Sequence, residues 1–241
     1  ELDSKKDESY LGIVDRIREE YEIFQKNDTE EDLSVAVKRK LDFSLNVEAI
    51  EHFLSRKDPS HDSAEYFQTC KFSMILIQNA YNQGHNHFNL PVLEDKIWGV
   101  FVSGYSFLFG KKENPINLTV KEGVAIRYGN HLVHANIKFL GHAADGCAKE
   151  CQDSKIVFEN KVGRFSASWS VNCDVYFYDE ISENCGKESI FTRFYSPHKE
   201  NLDKIIKNAG ISCSYFLLDD KGNAHPYGLK TKIFSFFGGK R

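Results

Sequence analysis

Histidines in pairs are the first residues in this chain with obvious chemical potential. His85-Asn86-His87 places two imidazoles at i and i+2, which on a strand share one face, and His131 with His134 forms a second pair. No third ligand follows at a recognisable spacing, so His85 and His87 stand as weak metal candidates beside an ordinary structural or surface reading. Asp145, Glu150 and Asp153 are close enough in sequence to serve as paired carboxylates for acid and base work. Their solvated reading is simpler, because they fall in variable positions of a repeat described below. Trp169 is a candidate binding anchor, weighed against packing beneath a terminal helix. The chain contains no Gly-x-x-x-x-Gly-Lys-Ser/Thr loop, nucleophile elbow, His-Glu-x-x-His helix or Cys-x-x-Cys pair.

The C-terminal stretch mixes Lys230, Lys232, Lys240 and Arg241 with Phe234, Phe236 and Phe237, a combination suited to RNA or an acidic partner. Its ordinary reading is an edge strand guarded by lysines. Charge is uneven: residues 1–84 carry 11 basic and 18 acidic side chains, the remainder 20 basic and 17 acidic. Six cysteines in 241 residues are too sparse for a disulfide-built scaffold, which favours free thiols in a reducing compartment. Two glycosylation triplets, at Asn27 and Asn117, are short enough to arise by chance. No run approaches the length of a membrane span and the N-terminus lacks an apolar signal core, so a cytoplasmic protein is expected.

The elements that must position these residues divide the chain in two. Over residues 1–84, Tyr10, Ile13, Val14, Ile17, Tyr21 and Phe24 recur at helical spacing. Further helices are expected from Glu30 to Leu41, from a cap at Asn46 to Arg56, and from about Asp62 to Asn82, the last being the most apolar and central. From residue 85 to 241 the chain reads as β-rich, with strands expected at 87–90, 97–102 and 106–109.

Self-similarity then dominates. Leu118, Ile137, Ile156, Val175 and Phe194 are spaced by 19 residues, as are Val120, Phe139, Phe158 and Phe177. Further columns are Val124, Ala143, Val162, Ile181; Ala125, Ala144, Gly163, Ser182; Tyr128, Cys147, Ser166, Cys185; Gly129, Ala148, Ala167, Gly186; and Val133, Gln152, Val171, Ile190. A 19-residue unit cannot bury its own apolar face, so residues 117–196 are expected to stack as about four coils of a β-solenoid. Small-residue columns mark corners or close approaches. The fold class is therefore α+β, a helical N-terminal region packed on a small solenoid with a C-terminal cap.

The repeat also places the cysteines. Cys147 and Cys185 share a column two layers apart, about 10 Å, beyond disulfide reach. Cys151 aligns with Ser170 and Ser189, and Cys173 with Ser154 and Thr192, so all four are expected to be small interior residues. His131 falls in a column with Glu150, Trp169 and Glu188, and His134 in one with Asp153, Asn172 and Phe191; both columns read as outward-facing.

Val162-Gly163, Gly129, Gly186 and the phrase Ile181-Ser182-Glu183-Asn184-Cys185-Gly186 resemble the β-solenoid repeats called GXGXG domains, as in the C-terminal part of glutamate synthase and in a formylmethanofuran dehydrogenase subunit. The resemblance covers about 80 residues and lacks the literal Gly-x-Gly-x-Gly string. It implies a structural spacer or docking surface without catalytic residues of its own. The six-residue periodicity of hexapeptide acyltransferases is not met within the units.

Three functions follow as expectations. The leading one is a non-catalytic interaction or scaffolding protein whose solenoid face, with Trp169, meets a macromolecular partner, most simply a protein. The second is RNA or ribosome binding through Lys230, Lys232, Phe236 and Phe237. The third is a hydrolase or transferase with a site around His85, His87 and Glu94 at the junction of helices and solenoid. No cofactor is expected, and an open terminal coil would permit a homodimer.

Overall fold

The structure is a computed structural model that describes residues 9–27, 33–56, 63–91, 106–121, 124–125 and 127–228. The chain opens with four helices, α1 (Tyr10–Asn27), α2 (Leu33–Ala36), α3 (Val47–Arg56) and α4 (Ser63–Asn82). Strands follow as β1 (His87–Leu90), β2 (Ile116–Val120), β3 (Val124–Ala125), β4 (Ala135–Phe139), β5 (His142–Ala143), β6 (Lys155–Phe158), β7 (Asp174–Phe177) and β8 (Arg193–Ser196). Helix α5 (Lys199–Asn208) and strands β9 (Ser214–Leu218) and β10 (Ala224–Pro226) complete the described chain.

α1 buries Ile13, Val14, Ile17, Tyr21 and Phe24, the stripe expected from its spacing. α3 begins where Asn46 caps it, the side-chain oxygen accepting from Ala49 N at 3.2 Å. Of the expected helix from Glu30 to Leu41, residues 30–32 lie outside the described residues, and the rest is the single turn α2 followed by irregular chain. The cause sits on α4. Asn79 accepts from Leu41 N at 3.0 Å and donates to Arg39 O at 2.7 Å, while Gln83 accepts from Leu45 N and donates to Phe43 O. These two amides satisfy backbone groups of the irregular chain between Arg39 and Leu45. Gln78 does the same for Phe109, and the Tyr81 hydroxyl accepts from Lys111 N and donates to Asn114 O. α4 therefore ties the helical layer to the first solenoid coil.

The solenoid is a stack of parallel strands. β1, β2, β4, β6, β7, β8 and β9 lie side by side, and β10 adds antiparallel to β9 at the end. β2 to β4, β4 to β6, β6 to β7 and β7 to β8 each pair residues 19 apart, and β8 to β9 pairs residues 21 apart, giving five successive turns. Each coil has two further parallel ladders. One runs through β3 and β5 to Val162 and Ile181, with Ala125 rather than Val124 pairing Ala143, because this first step is 18 residues and not 19; the other runs through Phe109, Val133, Gln152, Val171 and Ile190. In the last turn α5 replaces the corner segment, and Leu202 and Ile205 close the core beneath it.

Inside, Leu118, Ile137, Ile156, Val175 and Phe194 are buried, and the rings of Phe139, Phe158 and Phe177 stack at 5.0 and 5.2 Å. Each such pair adds about 0.5–1.5 kcal/mol beyond its buried area. The column Val133, Gln152, Val171, Ile190 departs from the sequence reading. Its backbone pairs in register, yet Gln152 is exposed and Val171 and Ile190 are more than a third exposed, so this column faces outward. Apolar type alone does not distinguish the two faces of a strand-like segment.

The corners explain the small residues and more. Left-handed backbone occurs in four columns of four: 127, 146, 165, 184; 129, 148, 167, 186; 131, 150, 169, 188; and 134, 153, 172, 191. This conformation costs a non-glycine residue roughly 1–2 kcal/mol. Hydrogen bonds between coils hold it in place: His131 N, Glu150 N and Trp169 N donate to Lys149 O, Ser168 O and Lys187 O, each at 2.8 Å. In the second column only small residues fit, because a Cβ on Gly186 would lie 2.7 Å from Phe194 Cζ.

The expected stretch 97–102 lies outside the described residues, and 106–109 contributes a single bridge from Phe109 to Val133 rather than a strand.

Candidate functional site

Of the four left-handed columns, the one holding Ala148 and Ala167 turns into the core, whereas the other three carry their side chains outward, and stacking repeats that projection one layer apart. Side chains of one column therefore meet their own counterparts in neighbouring coils. In the column His131, Glu150, Trp169, Glu188 this produces a continuous outward ridge. The Phe107 ring stacks on His131 at 4.4 Å between centroids, and His131 Nδ1 lies 3.4 Å from Glu150 Oε2. Lys149 Nζ sits 4.6 Å from the centre of the Trp169 ring, whose Nε1 donates to Glu188 Oε2 at 2.9 Å. Phe165 lies parallel to Trp169 at 6.5 Å. The indole N–H, aided by Lys187, holds the Glu188 carboxyl below its ordinary range.

Between these coils lies an open depression of about 450 Å³ lined by Lys149, Glu150 and Trp169. It combines an aromatic face, an ammonium and a carboxylate, a mixture that recognises another surface by stacking and charge-assisted hydrogen bonds. Trp169 is half-buried on this ridge.

The other predicted groups are brought to different partners. Asp145 takes Arg164 in a two-pronged pair, its Oδ2 at 2.8 Å from Nη2 and 3.1 Å from Nε. Burial resists ionisation of Asp145, but Arg164 outweighs it and the carboxyl sits below its usual range. Asp153 accepts from Asn172 and Gln152, and the Asn172 bond leads in lowering its titration. The three carboxylates thus face neighbouring coils, and none faces another. His87 is exposed with Nδ1 2.7 Å from Asn86 Oδ1, and His85 donates its backbone N–H to Ala80 O. Among the described residues no group of three His, Cys, Asp or Glu side chains stands close enough to hold a metal. Glu94, Lys230, Lys232, Phe236 and Phe237 lie outside the described residues.

The cysteine columns are interior, as the repeat implies, and they form a hydrogen-bond system. Cys151 Sγ donates to Gly129 O at 3.2 Å, Cys173 Sγ to Cys151 O at 3.4 Å and Cys185 Sγ to Gly163 O at 3.1 Å, always 22 residues back. Ser166, Ser189 and Thr192 make the same bond with hydroxyls, to Ala144 O, Ala167 O and Ser170 O. In return Cys147 N, Ser170 N and Cys173 N donate to the side chain 19 residues ahead. Burial pushes the Cys147, Cys173 and Cys185 thiols up to about 12 and Cys151 well above its ordinary value. These are non-nucleophilic thiols.

A second outward feature escapes the sequence reading. On the solvent side of the main sheet, Tyr176 stacks on Tyr195 at 4.3 Å and Tyr195 on Phe216 at 4.9 Å. Arg193 and the Tyr195 hydroxyl both donate to Asp174. The signal was present in the 19-residue step from Tyr176 to Tyr195, but the next ring, Phe216, comes 21 residues on because the last turn is longer. Ring faces stacked on one another leave their edges to solvent, so this row offers little flat surface for a ligand.

No helix among the described residues is long and apolar enough to cross a membrane. Comparison with protein-family models, curated proteins and solved structures finds no match.

Proposed function

We propose that this protein is a non-catalytic interaction or scaffolding protein that presents an outward solenoid ridge to a protein partner. The observation that carries the reading is the half-buried Trp169 held rigid between Lys149 and Glu188 beside an open depression. A large aromatic side chain whose rotamer is locked before binding loses little entropy on contact, the property that makes Trp an effective interface anchor. The GXGXG-like features belong to the same reading, since such solenoids resemble spacers and docking surfaces.

Trp169→Ala tests it directly. Truncation of an anchor of this kind weakens capture of the partner by about 2 kcal/mol or more, roughly thirtyfold, while the thermal midpoint shifts little because the side chain lies outside the core. Affinity purification from the native cell with wild-type and variant proteins, compared by quantitative mass spectrometry, supplies the readout. Identical partner lists and recoveries for the two proteins rule out the ridge as the docking site.

A further inference from the structure

The charges around the depression are unequally matched. Glu150 faces His131, with Oε2 3.4 Å from Nδ1, and Glu188 accepts from Trp169 Nε1 and lies 3.5 Å from Lys187 Nζ. Lys149 is different. Its ammonium sits 4.6 Å from the centre of the Trp169 ring and makes no ion pair among the described residues. The backbone beneath it is fixed from both sides, since Lys149 N donates to Asn130 Oδ1 and Lys149 O accepts from His131 N, each at 2.8 Å. A ring face attracts a cation but accepts poorly from its three N–H donors. The depression therefore holds a positioned, half-buried ammonium beside an aromatic wall, which Phe165 extends by lying parallel to Trp169 at 6.5 Å.

The group that completes this arrangement is a carboxylate. A cation would have to displace Lys149 from the ring and compete with His131 and Lys187 for carboxylates already engaged. A nucleic acid fits poorly for the opposite reason. Glu150 and Glu188 occupy the coils on either side of Trp169 and balance Lys149 and Lys187, so the ridge lacks the positive field that a phosphate backbone requires. A single carboxylate needs only the one ammonium, with Glu150 turned towards His131. The volume of about 450 Å³ lies at the small end of the roughly 300–1,000 Å³ of ligand pockets, room for a side chain or two rather than a folded surface.

We infer that the depression receives an acidic residue and the apolar residue beside it from the partner protein, the carboxylate accepting from Lys149 Nζ and the apolar side chain lying against Trp169. This rests on the reading of the Trp169 ridge as the docking face and narrows the partner to one that exposes an Asp or Glu next to an apolar side chain.

Acetyl-Asp-Phe-amide, titrated into the full chain, serves as the probe. Indole N–H signals in nitrogen-correlated NMR spectra report its binding, and Trp169→Phe tells the two tryptophans apart. A saturable shift of the Trp169 signal is expected, with affinity about fivefold weaker for acetyl-Asn-Phe-amide, the upper end of what an exposed charge pair contributes. Lys149→Gln removes the preference for Asp over Asn, and Lys149→Arg keeps it. Equal affinity for the Asp and Asn peptides overturns the inference, as does tighter binding of acetyl-Lys-Phe-amide or of oligouridylate, or the lack of any saturable shift. If Lys149→Gln fails to fold, the comparison of probes on the wild-type chain decides alone. Failure of the docking reading shows separately, as unchanged partner capture by Trp169→Ala.

Discussion

At Ser170 the interior ladder lacks a rung. Among buried side-chain polar atoms of the described residues, its Oγ is the one without a hydrogen-bond partner, although its N–H and C=O are both taken by the next coil. Ser189, in the same column, donates to Ala167 O and accepts from Ser170 N. The two serines therefore respond oppositely to truncation. Ser170→Ala removes an unsatisfied buried hydroxyl and is neutral or stabilising by up to about 1 kcal/mol, whereas Ser189→Ala strands two backbone groups and costs about 1–3 kcal/mol. Urea unfolding of both variants decides the matter, and equal losses refute the assignment of the ladder.

At the scale of elements, α4 organises the helical layer by capturing irregular chain. Asn79, buried against Arg39 and Leu41, is the centre of this arrangement. Asn79→Ala leaves an N–H and a C=O unpaired and is expected to destabilise by about 1–3 kcal/mol. Hydrogen exchange checks the location: the Leu41 amide loses protection while strands β6 to β8 keep theirs. Loss of protection spread evenly over the solenoid contradicts this division of labour. The solenoid's C-terminal end is managed differently. β10 is three residues long and contains Pro226, which removes a donor from the outer strand, and the hairpin before it holds Asp219 in bonds from Lys221, Asn223 and His225. Among the described residues, the last parallel strand of the solenoid is thus covered by a short strand poorly suited to further pairing.

The whole molecule is stacked around thiols that resist ionisation. Burial raises Cys147, Cys173 and Cys185 to about 12 from an ordinary value of 9.0. A raised folded-state value means that the stabilising preference for the neutral thiol is complete below pH 9 and is lost as pH rises from 9 towards 12, because only the unfolded chain gives up its protons in that window. Each thiol contributes a slope of about 1.4 kcal/mol per pH unit there. The urea midpoint is expected to fall steeply above pH 9, and Cys185→Ser, which keeps a donor for Gly163 O without titrating, shallows the fall by one thiol's share. A variant with the parent's slope shows that these thiols do not drive the alkaline transition.

The sequence by itself determined the repeat length, the interior columns of the main sheet, the amphipathic helices and the interior place of four cysteines. Each of these depends on a period that survives in one dimension, 19 residues for a coil or 3.6 for a helix, and on the requirement that apolar side chains leave water. The tertiary structure alone decided the direction of the Val133–Gln152–Val171–Ile190 column, because a residue's type does not reveal which side of a corner it occupies. It also decided that bulky residues such as Trp169 and Phe191 adopt left-handed backbone, a choice their own preferences oppose and hydrogen bonds between coils enforce. The short α2 and the pairing of Trp169 with Lys149 and Glu188 likewise come from partners 19 to 40 residues away, beyond the reach of local pattern.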